Sequence, residues 1–132
     1  MTDRELINIA VEASKSAYAP YSGFAVGAAL ECADGEVYTG CNVENASFGC
    51  TNCAERTAVF KAVSEGEREF TRIAVFAAGE DYCMPCGTCR QVLNEFAPDI
   101  EVLSVRGDGR YVSYSLRELL PRSFRISEKP EN

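Results

Sequence analysis

The chain has 132 residues, 46% of them hydrophobic and 25% charged, which suits one domain with a real buried core. Its net charge of −7 argues against a polynucleotide partner, because such binders present basic stripes that replace phosphate counterions. No apolar run approaches the ~20 residues needed to cross a bilayer, and Met1-Thr2-Asp3-Arg4-Glu5 lacks a signal peptide's basic and apolar regions, so a cytoplasmic protein without a membrane partner is expected.

Leu6, Ala10, Ala13 and Ala17 recur at helical spacing behind Thr2-x-x-Glu5, a capping-box pattern, and predict a first helix. Tyr18 to Gly23 breaks it. Phe24–Cys32 and Val37–Val43 read as strands joined through the turn signal Asp34-Gly35. A second helix is expected from Asn52 or Cys53 through Ala62 and Val63 to the stop at Gly66. The apolar run Ile73–Ala78 reads as a strand buried on both faces. A third helix should run from about Cys86 to Phe96, before Pro98. Ile100–Val105 and Arg110–Tyr114 look like strands around Gly107-Asp108-Gly109, and Ser115-x-x-Glu118 opens a short helix ending at Pro121. The order α-β-β-α-β-α-β-β-α predicts an α/β fold with a partly parallel sheet and helices on its faces.

The chemistry concentrates in Cys53-Ala54-Glu55 and Pro85-Cys86-Gly87-Thr88-Cys89, in a chain with seven cysteines and no histidine. Without imidazole, a zinc site must use thiolates and carboxylates, and proton transfer at neutral pH falls to another group. Cys86 and Cys89, three apart at a helix start, share a face, and Cys53 begins the preceding helix. Helix N-termini favour thiolates. Three thiolates would leave zinc a fourth position for water, with Glu55 beside it as proton carrier. The sulfur charge would weaken water activation, and Arg56 is the candidate to offset it by donating to a sulfur. Two blander readings stand beside this one. Asn52-x-x-Glu55 also fits a capping box. Cys50-x-x-Cys53 with Cys86-x-x-Cys89 fits a closed four-thiolate site, although 32 intervening residues exceed the usual ~15–20. Cys83 is a further candidate thiol, whereas Cys32 and Cys41 read as small buried hydrophobes.

These motifs, together with Tyr18-Ala-Pro-Tyr-Ser, Phe24-Ala-Val-Gly-Ala-Ala-Leu, Gly40-Cys-Asn-Val-Glu-Asn-Ala and Pro85-Cys-Gly-Thr-Cys-Arg-Gln-Val, resemble the small, homotetrameric, three-cysteine cytidine deaminases. The resemblance spans nearly the whole chain. It implies a three-layer α/β/α sandwich with a mixed, mostly five-stranded sheet. Residues 1–132 would form a single domain, with about 122–132 a tail that is partly flexible or at a subunit interface. It also implies one Zn2+ per subunit on Cys53, Cys86 and Cys89, with Glu55 as the acid and base. Asn42 and Glu44 would bind ribose hydroxyls, Phe24 and Ala54 would contact the nucleoside, and Phe124 would close a neighbouring subunit's pocket. The implied reaction is hydrolytic deamination of cytidine and 2′-deoxycytidine. Tyr21, Phe48 and Cys50 flank the site and are given no catalytic role.

Overall fold

The structure, a computed structural model, describes residues 1–126; residues 127–132 of the expected tail lie outside the described residues. In chain order the elements are α1 (Asp3–Ser14), β1 (Val26–Cys32), β2 (Val37–Cys41), a single 3-10 turn (Phe48–Cys50), α2 (Ala54–Ser64), β3 (Phe70–Ala77), α3 (Gly87–Phe96), β4 (Glu101–Val105), β5 (Tyr111–Ser115) and α4 (Leu116–Leu119). The sheet order is β2-β1-β3-β4-β5. Only β3 and β4 run parallel; the other neighbours are antiparallel.

Alternation along the strands divides the core in two. Ala29, Ala74, Phe76, Leu103 and Val105 meet Leu6, Ile7 and Ala10 of α1 on one face. Ala28, Leu30, Ile73, Val75 and Val102 meet Ala58, Val59 and Ala62 of α2 and Leu93 of α3 on the other. This is the expected three-layer α/β/α arrangement around a mixed sheet.

Local chemistry sets the element ends. Thr2 and Glu5 form the expected capping box, as do Ser115 and Glu118. The buried stripe of α1 is Leu6, Ile7, Ala10 and Ser14, not the expected line through Ala13 and Ala17. Gly27 is the reason: a Cβ there would lie 2.0 Å from Ala10 O and 2.5 Å from Ser14 N. α1 therefore rides directly on the backbone of β1, turned so that residues 10 and 14 face it.

β1 starts at Val26 rather than Phe24, and β2 stops at Cys41 rather than Val43. One side chain accounts for both. Asn42 Oδ1 accepts from Val26 N at 2.9 Å, while its Nδ2 donates to Phe24 O at 2.8 Å. The last ladder bond is Asn42 N to Val26 O at 3.3 Å; beyond it the amide takes over, and the two segments line a cleft. Val43 instead bridges to Tyr18 and Asn52. β3 begins three residues earlier than expected, because Phe70 pairs with Cys32 across a bulge.

Candidate metal centre and active-site cleft

Cys53 is the N-cap of α2 and Cys86 the N-cap of α3, and neither makes a side-chain capping bond. Cys89 sits buried in the first turn of α3. The N-terminal ends of two helices therefore converge where the β1–β2 ladder stops, beyond the carboxyl end of the parallel strand β3. Open α/β sheets form their clefts in such places.

The Sγ atoms of Cys53, Cys86 and Cys89 lie within 4.8 Å of one another. Cys53 Sγ is 3.7 Å from Cys86 Sγ, which is 3.4 Å from Cys89 Sγ. Zinc–sulfur bonds of ~2.3 Å in tetrahedral geometry place sulfurs ~3.8 Å apart, so these thiols fit a zinc ion with little adjustment. Arg56 Nη2 donates to Cys53 Sγ at 3.3 Å, bringing positive charge to the cluster. A hydrogen bond from Cys89 and the Arg56 guanidinium hold the Cys53 thiol well below its usual range, against the opposing effect of burial. The same Cys53 partner and burial push Cys89 up.

Glu55 points into this region from the first turn of α2 and is 4% exposed. Burial, with the nearby Cys53 sulfur adding to it, pushes its carboxyl up to about 7. The capping-box reading of Asn52 and Glu55 fails, because Cys53 occupies the N-cap and the Asn52 amide donates to Thr57 Oγ1.

A cleft of about 250 Å³ opens over the thiols, lined by Phe24, Asn42, Glu44, Ala54, Glu55 and Cys86 among others. Phe24 is 50% exposed and belongs to its wall, not to the core. Asn42 uses Oδ1 and one amide hydrogen to hold that wall, which leaves its second N–H for a ligand. Glu44 accepts from Tyr21 N, Ser22 N and Ser22 Oγ. Those bonds keep its carboxyl below the ordinary range. The neighbouring hollow, lined by Tyr21 and Phe48, shares Ser22, Glu44 and Thr51 with the cleft, and the two rings meet edge to face at 5.8 Å.

Phe124 does not line its own chain's cleft. It is 70% exposed, and its carbonyl accepts from Gln91 and Asn94 of α3. Cys50 is exposed in the 3-10 turn, and Cys83 is a cleft-wall thiol that burial pushes up to about 12. Neither joins the three-sulfur group. A second group, Cys32, Asp34 and Glu67, lies at the opposite end of β1. There, burial and surrounding carboxylates push the thiol up to about 12, a poor start for a metal ligand.

Two contributors were not singled out by the sequence motifs. Arg90 Nε donates to Pro85 O, and its Nη1 donates to Leu119 O, both at 2.8 Å. Gly40 lets the first turn of α2 approach β2 closely. A glycine inside a strand pattern is the available signal for such an approach.

The family model described as cytidine and deoxycytidylate deaminase zinc-binding region matches residues 1–104. The chain belongs to this family. It is 51% identical over 124 residues to the cytidine deaminase of Halalkalibacterium halodurans, covering 92% of this chain and 94% of that one. The crystal structure of cytidine deaminase from Burkholderia pseudomallei superposes with a TM-score of 0.91 at 50% identity, over 94% of this chain and 100% of that chain. The Mycobacterium tuberculosis cytidine deaminase structure gives a TM-score of 0.82 at 40% identity, over 96% and 100%. Membership makes the domain a zinc-binding one, and the three-cysteine cluster is where its residues fit the ion. Among the described residues, no helix is long and apolar enough to cross a membrane.

Proposed function

We propose that this deaminase-family chain converts cytidine and 2′-deoxycytidine, with water, to the corresponding uridine and ammonia. Cys53, Cys86 and Cys89 hold one Zn2+, and Glu55 carries the protons. The observation that supports this most is the buried Glu55 beside three clustered thiols, on the floor of a cleft that also presents Phe24, Asn42 and Glu44. When bound, zinc supplies the Lewis acidity that activates a water.

The chain's own residues account for the remainder. Phe24 and Ala54 bound the space for a flat pyrimidine, and Asn42 and Glu44 offer a donor and an acceptor to ribose hydroxyls. Glu55 takes a proton from the water and passes it to ring N3. Once the water oxygen has bonded to C4, Glu55 takes the remaining proton of that oxygen and delivers it to the amino group. That group leaves as ammonia as the C4–N bond breaks, so the same carboxylate begins and ends the cycle ionised. Arg56 balances the sulfur charge through Cys53. The cleft adjoins the hollow lined by Tyr21 and Phe48, and Phe48 is 74% exposed.

That exposed rim, with Phe124 turned outward, supports a homotetramer in which Phe124 completes a neighbour's pocket; sedimentation at one chain mass would refute it. On this reading residues 1–132 act as one domain in the cytoplasm, without nucleic-acid or membrane partners; the net charge of −7 supports the absence of a nucleic-acid partner.

Loss of cytidine absorbance, run beside metal analysis, tests the activity. Glu55→Gln should keep zinc and nucleoside binding while turnover falls at least ~100-fold. Near-normal turnover in that variant would remove Glu55 as the proton carrier. Equal turnover on cytosine compounds with and without ribose hydroxyls would remove Asn42 and Glu44 as sugar contacts.

A further inference from the structure

The segment from Ala78 to Cys86 leaves β3 and delivers two of the three thiols, Cys86 directly and Cys89 one turn later. Its middle is exposed at Glu80 and Asp81, so its path depends on where it is fastened. Gly107 N donates to Gly79 O at 3.0 Å. Backbone meets backbone there so closely that a Cβ on Gly107 would lie 2.7 Å from Gly79 N. Nearer the thiols, both polar groups of Cys83 are held by consecutive residues of β4. Its N–H donates to Val105 O at 3.2 Å, and its carbonyl accepts from Ser104 Oγ. Ser104 Oγ also lies 3.0 Å from Met84 Sδ.

Ser104 is fully buried, the polar exception in the strand run Val102, Leu103, Ser104, Val105. A hydroxyl in such surroundings is unfavourable unless it is hydrogen-bonded. Its partners are the peptide carbonyl and thioether just ahead of Pro85-Cys86. On the downstream side, Arg90 Nε holds the Pro85 carbonyl. Between those two fixings only Met84 and Pro85 separate Cys83 from the N-cap of α3.

We propose that Ser104 is a positioning residue of the metal centre, setting the place of Cys86 Sγ through the Cys83 carbonyl. The proposal rests on the reading of Cys53, Cys86 and Cys89 as zinc ligands. Without the hydroxyl, the Cys83–Pro85 segment gains alternative paths, and zinc binding must restore the one that brings the sulfurs together. Partners outside the ligand shell typically contribute ~10–100-fold to metal affinity. Ser104 acts three residues away from Cys86, which places it near tenfold.

The test is zinc competition against a chromophoric chelator for the full chain and its Ser104→Ala, Ser104→Thr and Ser104→Val variants, beside urea unfolding of each zinc-free protein. Ser104→Ala should bind zinc about tenfold more weakly, and Ser104→Thr should bind close to the parent. A side chain that only packs weakens zinc-free and zinc-loaded protein equally, leaving zinc affinity unmoved. Should Ser104→Ala fail to fold, the Thr and Val variants decide, since they match in shape and differ by the hydroxyl. Equal zinc affinity in that pair, or parental affinity in Ser104→Ala, overturns the proposal. Failure of the unsubstituted protein to bind one zinc per chain would instead sink the ligand assignment itself.

Discussion

Gly40 carries the most direct structural prediction. It lies in β2 facing the first turn of α2, and a Cβ there would sit 2.2 Å from Ala54 O, 2.6 Å from Ala58 N and 3.1 Å from Ala58 Cβ. The obstacles are mostly helix backbone, so no side-chain rotation relieves them. Restoring ordinary contact moves the helix or the strand by about 1 Å. Overpacking of this kind destabilises a core by ~1–3 kcal/mol. The functional effect should be larger, because α2 begins with Cys53 at its N-cap and carries Glu55 and Arg56 in its first turn. A ~1 Å displacement of groups that must act in concert can lower turnover ~100-fold. Gly40→Ala should therefore show a lowered urea midpoint and a kcat/KM for cytidine reduced by about two orders of magnitude, in protein that is still folded. Parental turnover with a lowered midpoint would refute the reasoning, since it would mean that the helix start can move without disturbing the site.

Two further predictions concern charge. Arg56→Ala should weaken zinc binding about tenfold by chelator competition. In zinc-free protein it should also move the Cys53 titration upward, because the guanidinium favours the thiolate; an unmoved thiolate absorbance profile would count against it. At the other end of the sheet, Arg72 Nε and Nη2 pair with both oxygens of Glu31, at 2.8 and 2.6 Å, and hold its carboxyl at about 2 instead of 4.5. A depressed acid stabilises the fold above its unfolded pKa and loses that contribution as pH falls from about 4.5 through 2. Unscreened, the pair is worth roughly 3 kcal/mol, and solvent reduces this to about 1–2 kcal/mol. Glu31→Gln should thus be less stable than the parent at pH 7 by that amount, with the gap closing toward pH 2; a gap independent of pH would refute it.

What the sequence disclosed was chiefly local. The Thr2–Glu5 and Ser115–Glu118 capping boxes, the Asp34-Gly35 turn and the Cys86-x-x-Cys89 pair each lie within a few residues, and backbone geometry alone makes them legible. Cys53 could be proposed beside that pair because it begins the preceding helix. Choosing the three-sulfur set over the Cys50-x-x-Cys53 alternative needed the family resemblance or the fold, because it depends on two helices converging across the sheet. The errors share one cause. Residue patterns register that a segment is apolar, but not which close approach fixes its rotation or which side chain ends its pairing. Gly27 set the buried face of α1 against the apparent Ala13–Ala17 stripe, and Asn42 ended two strands that continue on paper to Phe24 and Val43.

Asn42 also shows why cleft and scaffold are difficult to separate in this molecule. Its amide closes the hairpin end by bonding Phe24 and Val26, and the same closure turns Phe24 out of the core into the cleft wall. Glu44 repeats the arrangement, with its carboxylate ordering the Tyr21–Ser22 backbone while lining the same space. A substitution at either residue therefore removes the proposed nucleoside contact and the wall that frames it together. Single-residue kinetics will mix the two effects. A double-mutant cycle between Asn42 and the ribose hydroxyls, with sugar analogues as the second perturbation, separates them. Only the direct contact couples to the missing hydroxyl, whereas loss of the wall weakens every analogue alike.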